Sequence, residues 1–178
     1  MFKSLEGFQY ENDQKKSETT AARNFGEKIA RTNSIKTPPI DIFDLVQNKY
    51  GIKIREISLD NDISAIVDLN KQDITLNKDK HIYHKRFTLA HELGHILLKH
   101  NQRKWTDFSN YITDSNPDKP LEEEANAFAA GLLMPKYLLT QYLKKGYSPK
   151  NLSHLFQVSE QSLWYSISAY KLLNKVRY

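Results

Sequence analysis

The sequence predicts an α+β protein: a small antiparallel sheet packed on a helical core, with a helix-turn-helix-like pair near the C-terminal end. Two observations predict it. Short runs with two-residue alternation cluster between residues 52 and 77, and the segments after residue 79 read as helices apart from a polar, irregular stretch over 101–116. Strands gathered together and then helices alone is an α+β order rather than an alternating α/β one.

The elements follow in turn. Residues 1–19 are polar, and segment 1–20 is set aside as a flexible N-terminal stretch. AARNFGEKIARTN (21–33) has helical character, and Thr37-Pro38-Pro39 stops it. DIFDLVQNKY (41–50) spaces Ile42, Leu45 and Val46 on one face of a short helix, closed by Gly51. IKIREI (52–57) alternates as a strand. ISAIVDL (63–69) puts Ile63, Ala65, Val67 and Leu69 on one side, and DITLN (73–77) is the third run. Asp79 is expected to cap a helix reaching about His100, followed by a polar, irregular stretch to Asn116. Pro117 and Pro120 introduce LEEEANAFAAGLLM, which Pro135 ends. Ser148-Pro149 then opens PKNLSHLF, and a short turn leads into EQSLWYSISAYKLLNKV. The expected division is 1–20, a main domain over 21–135, and a basic helical segment over 136–178 packed on it.

The chain of 178 residues has 39% apolar and 26% charged residues, enough for one well-cored domain. It has no cysteine, so disulfides and thiolate metal sites are excluded, and any metal must be held by His, Asp or Glu. That composition suits a reducing cytoplasm. Neither a signal-peptide core nor a membrane-spanning run is present, and a cytoplasmic protein is expected. The net charge of +5 is uneven: residues 136–178 hold seven Lys or Arg against one acid, hence +6. Such a segment suits nucleic acid, an acidic protein face, or simply solvent.

The stretch that carries chemistry is FTLAHELGHILLKH, 87–100. Residues four apart share a helix face, so His91 and His95 can offer their imidazoles to one point. Glu92 is rotated by about 100° from His91, which sets it beside an ion rather than on it. There it can take a proton from a water that a metal has acidified. Gly94 leaves room for another backbone behind the motif. Two buried helical histidines with a solvated glutamate would give the same five letters, so a third ligand must decide. PLEEEANAFAAGLLMP (120–135) supplies one. Three glutamates in a first turn also complement a helix dipole. However, Glu122 and Asn126 lie four apart on the edge of the apolar stripe Ala125, Phe128, Ala129 and Leu132. A second helix beside the first could therefore point Glu122 at the metal, while Asn126 orients a ligand histidine. Glu123 has no comparable polar partner four residues on, and Glu124 is expected to make a helix-surface interaction.

With both blocks in hand, RFTLAHELGHILLKH followed by EEEANAFAAGLLMP resembles the ImmA/IrrE family of gluzincin-like metallo-endopeptidases, over roughly residues 20–165. PPIDIFDLVQNKYGIKI resembles the family's opening. The resemblance implies that residues 21–135 are a catalytic domain, with metal ligands His91, His95 and Glu122 and general base Glu92. Asn126 stands where related peptidases often have Asp, and its carbonyl oxygen can still accept a hydrogen bond. The ion implied is Zn²⁺, although Mn²⁺ or Fe²⁺ would accept the same donors. The substrate implied is a helix-turn-helix repressor of the Xre type, whose cleavage derepresses a mobile element or a stress response.

Two other readings compete. NLSHLFQVSEQSLWYSISAYKLL could be a DNA-binding helix-turn-helix in a basic segment; we favour packing on the main domain or gripping the repressor. A metal kept only for structure is the third, and the intact Glu92 ranks it last. For the donor to a tetrahedral oxyanion, Arg86, His84, His100, Tyr111 and His154 are all candidates.

Overall fold

A computed structural model describes residues 4–68, 70–100, 105–108 and 119–176. Helix α1 (Ser4–Thr32) opens the chain. One α-helical turn, α2 (Ile42–Asp44), runs into a π-helical turn at Leu45–Lys49. The Asp41 side chain caps it by accepting from the Asp44 N–H. Strands β1 (Lys53–Ile57), β2 (Ile63–Asp68) and β3 (Asp73–Asn77) follow, then α3 (Ile82–Leu97), β4 (Trp105–Phe108), α4 (Lys119–Leu133), α5 (Lys136–Lys144), α6 (Pro149–Phe156) and α7 (Glu160–Ala169).

The α+β class holds, but the sheet is mixed rather than antiparallel. Its order is β1-β3-β2-β4, with β3 antiparallel to β2 and parallel to β1. The β2–β3 hairpin fixes the first pairing. Strand β1 runs opposite to β2, but it docks on β3, so those two neighbours point the same way. Central β3 is buried at all five positions, while edge strand β1 is mostly exposed. Asn77, fully buried at the end of β3, donates to the carbonyls of Leu59, Asp60 and Ile63 and so staples the β1–β2 loop. Strand β4 lies within the stretch expected to be irregular; it pairs with β2 through a register shift between Ile63 and Ala65.

Helix α1 spans residue 20. Two further expectations need correcting. Helix α3 starts after His81, not Asp79: the His81 ring accepts from the Tyr83 N–H, while the Asp79 N–H is held by the Asn77 side chain. Helix α7 ends at Ala169, because Lys171 adopts the left-handed conformation and the Leu172 N–H returns to the Ile167 carbonyl. That closure turns Leu172 into the core. Leu69, expected on the buried side of β2, lies outside the described residues.

Helix α4 is the centre of the molecule. Residues 127–133 are buried without a break, which is the burial of a helix covered on all sides. Phe128, fully buried, contributes about 1.5–3 kcal/mol on its own. Leu138, Leu139 and Leu143 of α5, Leu152 and Phe156 of α6, and Leu163 and Ile167 of α7 join the same buried cluster as α1, the sheet and α3. Among the described residues, no helix is long and apolar enough to cross a membrane.

Candidate metal centre

Helices α3 and α4 approach closely because Gly94 has no side chain. A Cβ there would lie 2.9 Å from Phe128 Cδ1 and 3.3 Å from the Ala125 carbonyl oxygen. This approach brings the first two turns of α4 opposite His91 and His95. His91 Nε2 lies 3.2 Å from Glu122 Oε2, and His95 Nε2 lies 3.3 Å from Glu122 Oε1. The two Nε2 atoms are 2.9 Å apart. Among the described residues, His91, His95 and Glu122 form the one group of three side chains whose donor atoms could share an ion.

The surrounding hydrogen bonds show what these atoms can do. His91 Nδ1 lies 3.0 Å from Asn126 Oδ1, an acceptor, so that nitrogen carries the proton and Nε2 presents a lone pair. His100 Nε2 lies 3.3 Å from Glu124 Oε2, also an acceptor, so the His100 proton sits there. His100 Nδ1 is then an acceptor, and it is 3.0 Å from His95 Nδ1, which must donate. His95 Nε2 is therefore a second lone pair. In these tautomers two lone pairs and a carboxylate would face one another at 2.9–3.3 Å. Such a set repels itself until a cation enters it. Ligands about 2.0–2.1 Å from a tetrahedral ion stand about 3.3 Å apart, close to the 2.9–3.3 Å spacing of these three groups.

Burial holds His95 below its usual range, which favours the neutral imidazole a metal needs. Burial raises the Glu122 carboxyl, but hydrogen bonds and positive charge from His91 and His95 in their protonated forms outweigh it and hold the group well below the usual carboxylate range; between neutral rings, a cation would take over that part. Glu92 follows His91 on α3 and is only 2% exposed.

The other sequence candidates are placed elsewhere. Arg86 is buried and donates to the Ile40 carbonyl at 2.8 Å, tying α3 to the segment before α2. His84 is hydrogen-bonded to Ser64 at 2.8 Å, and His154 sits 3.4 Å from the Tyr83 hydroxyl. Tyr111 lies outside the described residues. Glu123 is not in the cluster. Sequence reasoning passed over His100 and Glu124 as partners of His95. Their signal was weak: the turn that folds His100 back is made by Lys99 in the left-handed conformation, where glycine would have announced it.

A family model described as Peptidase_M78, IrrE N-terminal-like domain, matches residues 47–168. The chain is 30% identical over 122 residues to "Uncharacterized immunity region protein 2" of Bacillus phage phi105, covering 62% of this chain and 75% of that protein. It is 26% identical over 152 residues to "Radiation response metalloprotease IrrE" of Deinococcus deserti, covering 83% of this chain and 54% of that one. Against the Deinococcus radiodurans protein of the same name it is 27% identical over 99 residues, covering 53% and 30%. The chain thus spans about half or less of the Deinococcus relatives. A solved structure, "Mycobacterium tuberculosis transcriptional regulator", superposes with a TM-score of 0.65 at 14% identity, covering 84% of this chain and 46% of that one; this is a likeness of fold.

Proposed function

This chain belongs to the Peptidase_M78 family of IrrE N-terminal-like domains, and from that premise we propose that it is a metal-dependent endopeptidase. In this reading His91, His95 and Glu122 hold the ion and Glu92 is the general base. The observation that carries the reading is the set of two imidazole Nε2 atoms and two carboxylate oxygens, drawn from two helices, that converge within 2.9–3.3 Å.

His91, His95 and Glu122 would hold a divalent ion, which we propose is Zn²⁺; bound there it would supply Lewis acidity for the scissile carbonyl and bring a water's pKa toward about 7. The remaining roles belong to the chain. Glu92 accepts the proton of the attacking water and returns it to the amide nitrogen as that nitrogen leaves. Asn126 keeps the His91 ring turned so that Nε2 faces the ion. Low exposure of His91, Glu92 and His95 (6%, 2% and 4%) limits competing water.

For the substrate we propose an Xre-type repressor, and with it a cytoplasmic site of action. The support is the family membership and the immunity-region name of the phage relative. The test is to incubate the purified protein with repressors encoded beside its own gene, with and without chelator, and to map any cut. We expect cleavage at one or a few sites that stops with chelator and returns with Zn²⁺. Broad digestion of casein, or cleavage indifferent to chelator, overturns the reading.

DNA binding through α6 and α7 is the alternative. The exposed positions of α7 are Glu160, Gln161, Tyr165, Ser168 and Ala169, with no Lys or Arg among them. A helix without a cation on its outer face is poorly suited to a phosphate-lined groove, so this reading is not favoured. A salt-dependent gel shift would reinstate it.

A further inference from the structure

The two metal-facing histidines are oriented by different devices. His91 leans on a neutral amide, Asn126. His95 leans on a second histidine, which itself leans on a carboxylate. We propose that His100 and Glu124 form a relay that holds the His95 ring and its tautomer, which makes them positioning residues rather than ligands. This rests on the metal-site reading above.

Three observations carry it. The first is backbone placement. Helix α3 ends with Leu98 as its cap, Lys99 in the left-handed conformation (φ 60°), and the His100 N–H returning to the His95 carbonyl at 3.0 Å. That six-residue closure sets His100 against the residue whose ring it contacts. The second is direction. His100 Nδ1 meets Nδ1 of His95, the nitrogen on the side of the ring away from the cluster. The rings stand at 74° with centroids 5.0 Å apart, an edge-on contact. His100 thus backs up a ligand and does not join the set. The third is burial with charge. The His100 side chain is 5% exposed and Glu124 is 20% exposed, so the pair is little screened. A carboxylate at the end of the chain fixes the His100 proton on Nε2, which leaves Nδ1 to accept from His95. The Nε2 lone pair of His95 follows from that order, and partial charge from Glu124 makes it a better donor to a cation. The relay also gives separate tasks to two glutamates of one helical turn: Glu122 faces the metal-site histidines and Glu124 faces their support.

The test measures Zn²⁺ affinity by chelator competition, together with the unfolding temperature of the metal-free protein. His100→Leu removes the acceptor and should weaken Zn²⁺ binding roughly 10–100-fold. His100→Gln should retain affinity within about threefold, since its carbonyl oxygen can accept from His95 and its amide can donate to Glu124. Glu124→Gln should cost less than His100→Leu. The double variant His100→Leu with Glu124→Gln should bind like His100→Leu alone, because members of a series cannot be lost twice. A purely structural role would lower the metal-free unfolding temperature in step with affinity and would show no rescue by Gln. Wild-type affinity in His100→Leu, equal damage from Leu and Gln, or additive losses each overturn the relay. If His100→Leu fails to fold, the contrast between Glu124→Gln and wild type decides in its place: unchanged affinity overturns the proposal. Failure of the wild-type protein to bind Zn²⁺, or binding undisturbed by His95→Ala, would instead overturn the metal site on which the relay rests.

Discussion

Helix α4 is packed on two sides, and the two sides are built differently. Toward α1 the contact is backbone on backbone. Gly26 lies against the Phe128 carbonyl and the Leu132 amide, and a Cβ at Gly131 would collide with the Arg23 carbonyl oxygen. Toward α3 the close approach is made at Gly94 against Phe128, and the first two turns of α4 present Glu122, Glu124 and Asn126 to three histidines. One flank is given to close packing, the other to hydrogen bonds around the His91, His95 and Glu122 cluster. The difference teaches that a single buried helix can separate stability from chemistry by face. Substitutions on the two flanks should therefore fail in different assays.

The sharpest test sits next to the site flank. Glu92→Gln should lower hydrolysis roughly 10²–10⁴-fold, because an amide cannot take the water's proton, yet leave the metal in place by elemental analysis. Undiminished proteolysis would remove Glu92 from its role. Next in size, Glu122→Gln or His91→Ala should weaken Zn²⁺ binding by more than about 100-fold, beyond the usual cost of losing an orienting partner. The metal-free unfolding temperature should hardly move. On the opposite flank the pattern should invert: Gly131→Ala should cost about 1–3 kcal/mol by overpacking, since the obstacle is backbone and cannot swing aside. That is roughly 2–4 °C of Tm per kcal/mol for a chain of this size, with Zn²⁺ affinity unchanged in the folded fraction. A Gly131→Ala protein that unfolds normally but loses metal would break the separation.

Two smaller effects refine the site flank itself. Asn126→Ala should weaken Zn²⁺ binding about tenfold by freeing the His91 ring, and Asn126→Asp should restore it. Glu123→Gln should stay within about twofold of wild type. A large loss there would mean that the register of α4 differs from the one that brings Glu122 to the histidines.

Much of this was legible in the residues. The four-residue spacings His91/His95 and Glu122/Asn126 are local, and a helix converts them into shared faces whatever surrounds it. Gly94 also carried its meaning in the sequence: a glycine in the middle of a buried helical motif costs stability unless something must come close. The Ser148 cap was readable for the same local reason; it accepts the Asn151 N–H three residues on. By contrast, the mixed sheet was hidden. Alternation identifies a strand and its buried face, but β1 would alternate in the same way whether it docked on β2 or on β3.

What the sequence by itself determined, then, is the set of helical faces: which histidines look the same way, and which glutamate of EEE stands on the edge of the apolar stripe. These follow from the 3.6-residue period, a property of the backbone alone. Only the tertiary structure decided which faces meet. The sheet order, β4 inside a polar stretch, the cap at His81, and the return of His100 over His95 all depend on contacts between residues whose relation no spacing records. Lys99 shows why. Its left-handed conformation is unfavourable for a lysine, and it is held by the backbone hydrogen bonds and burial of the residues around it. A conformation that the surroundings impose against local preference cannot be read from the residue that adopts it.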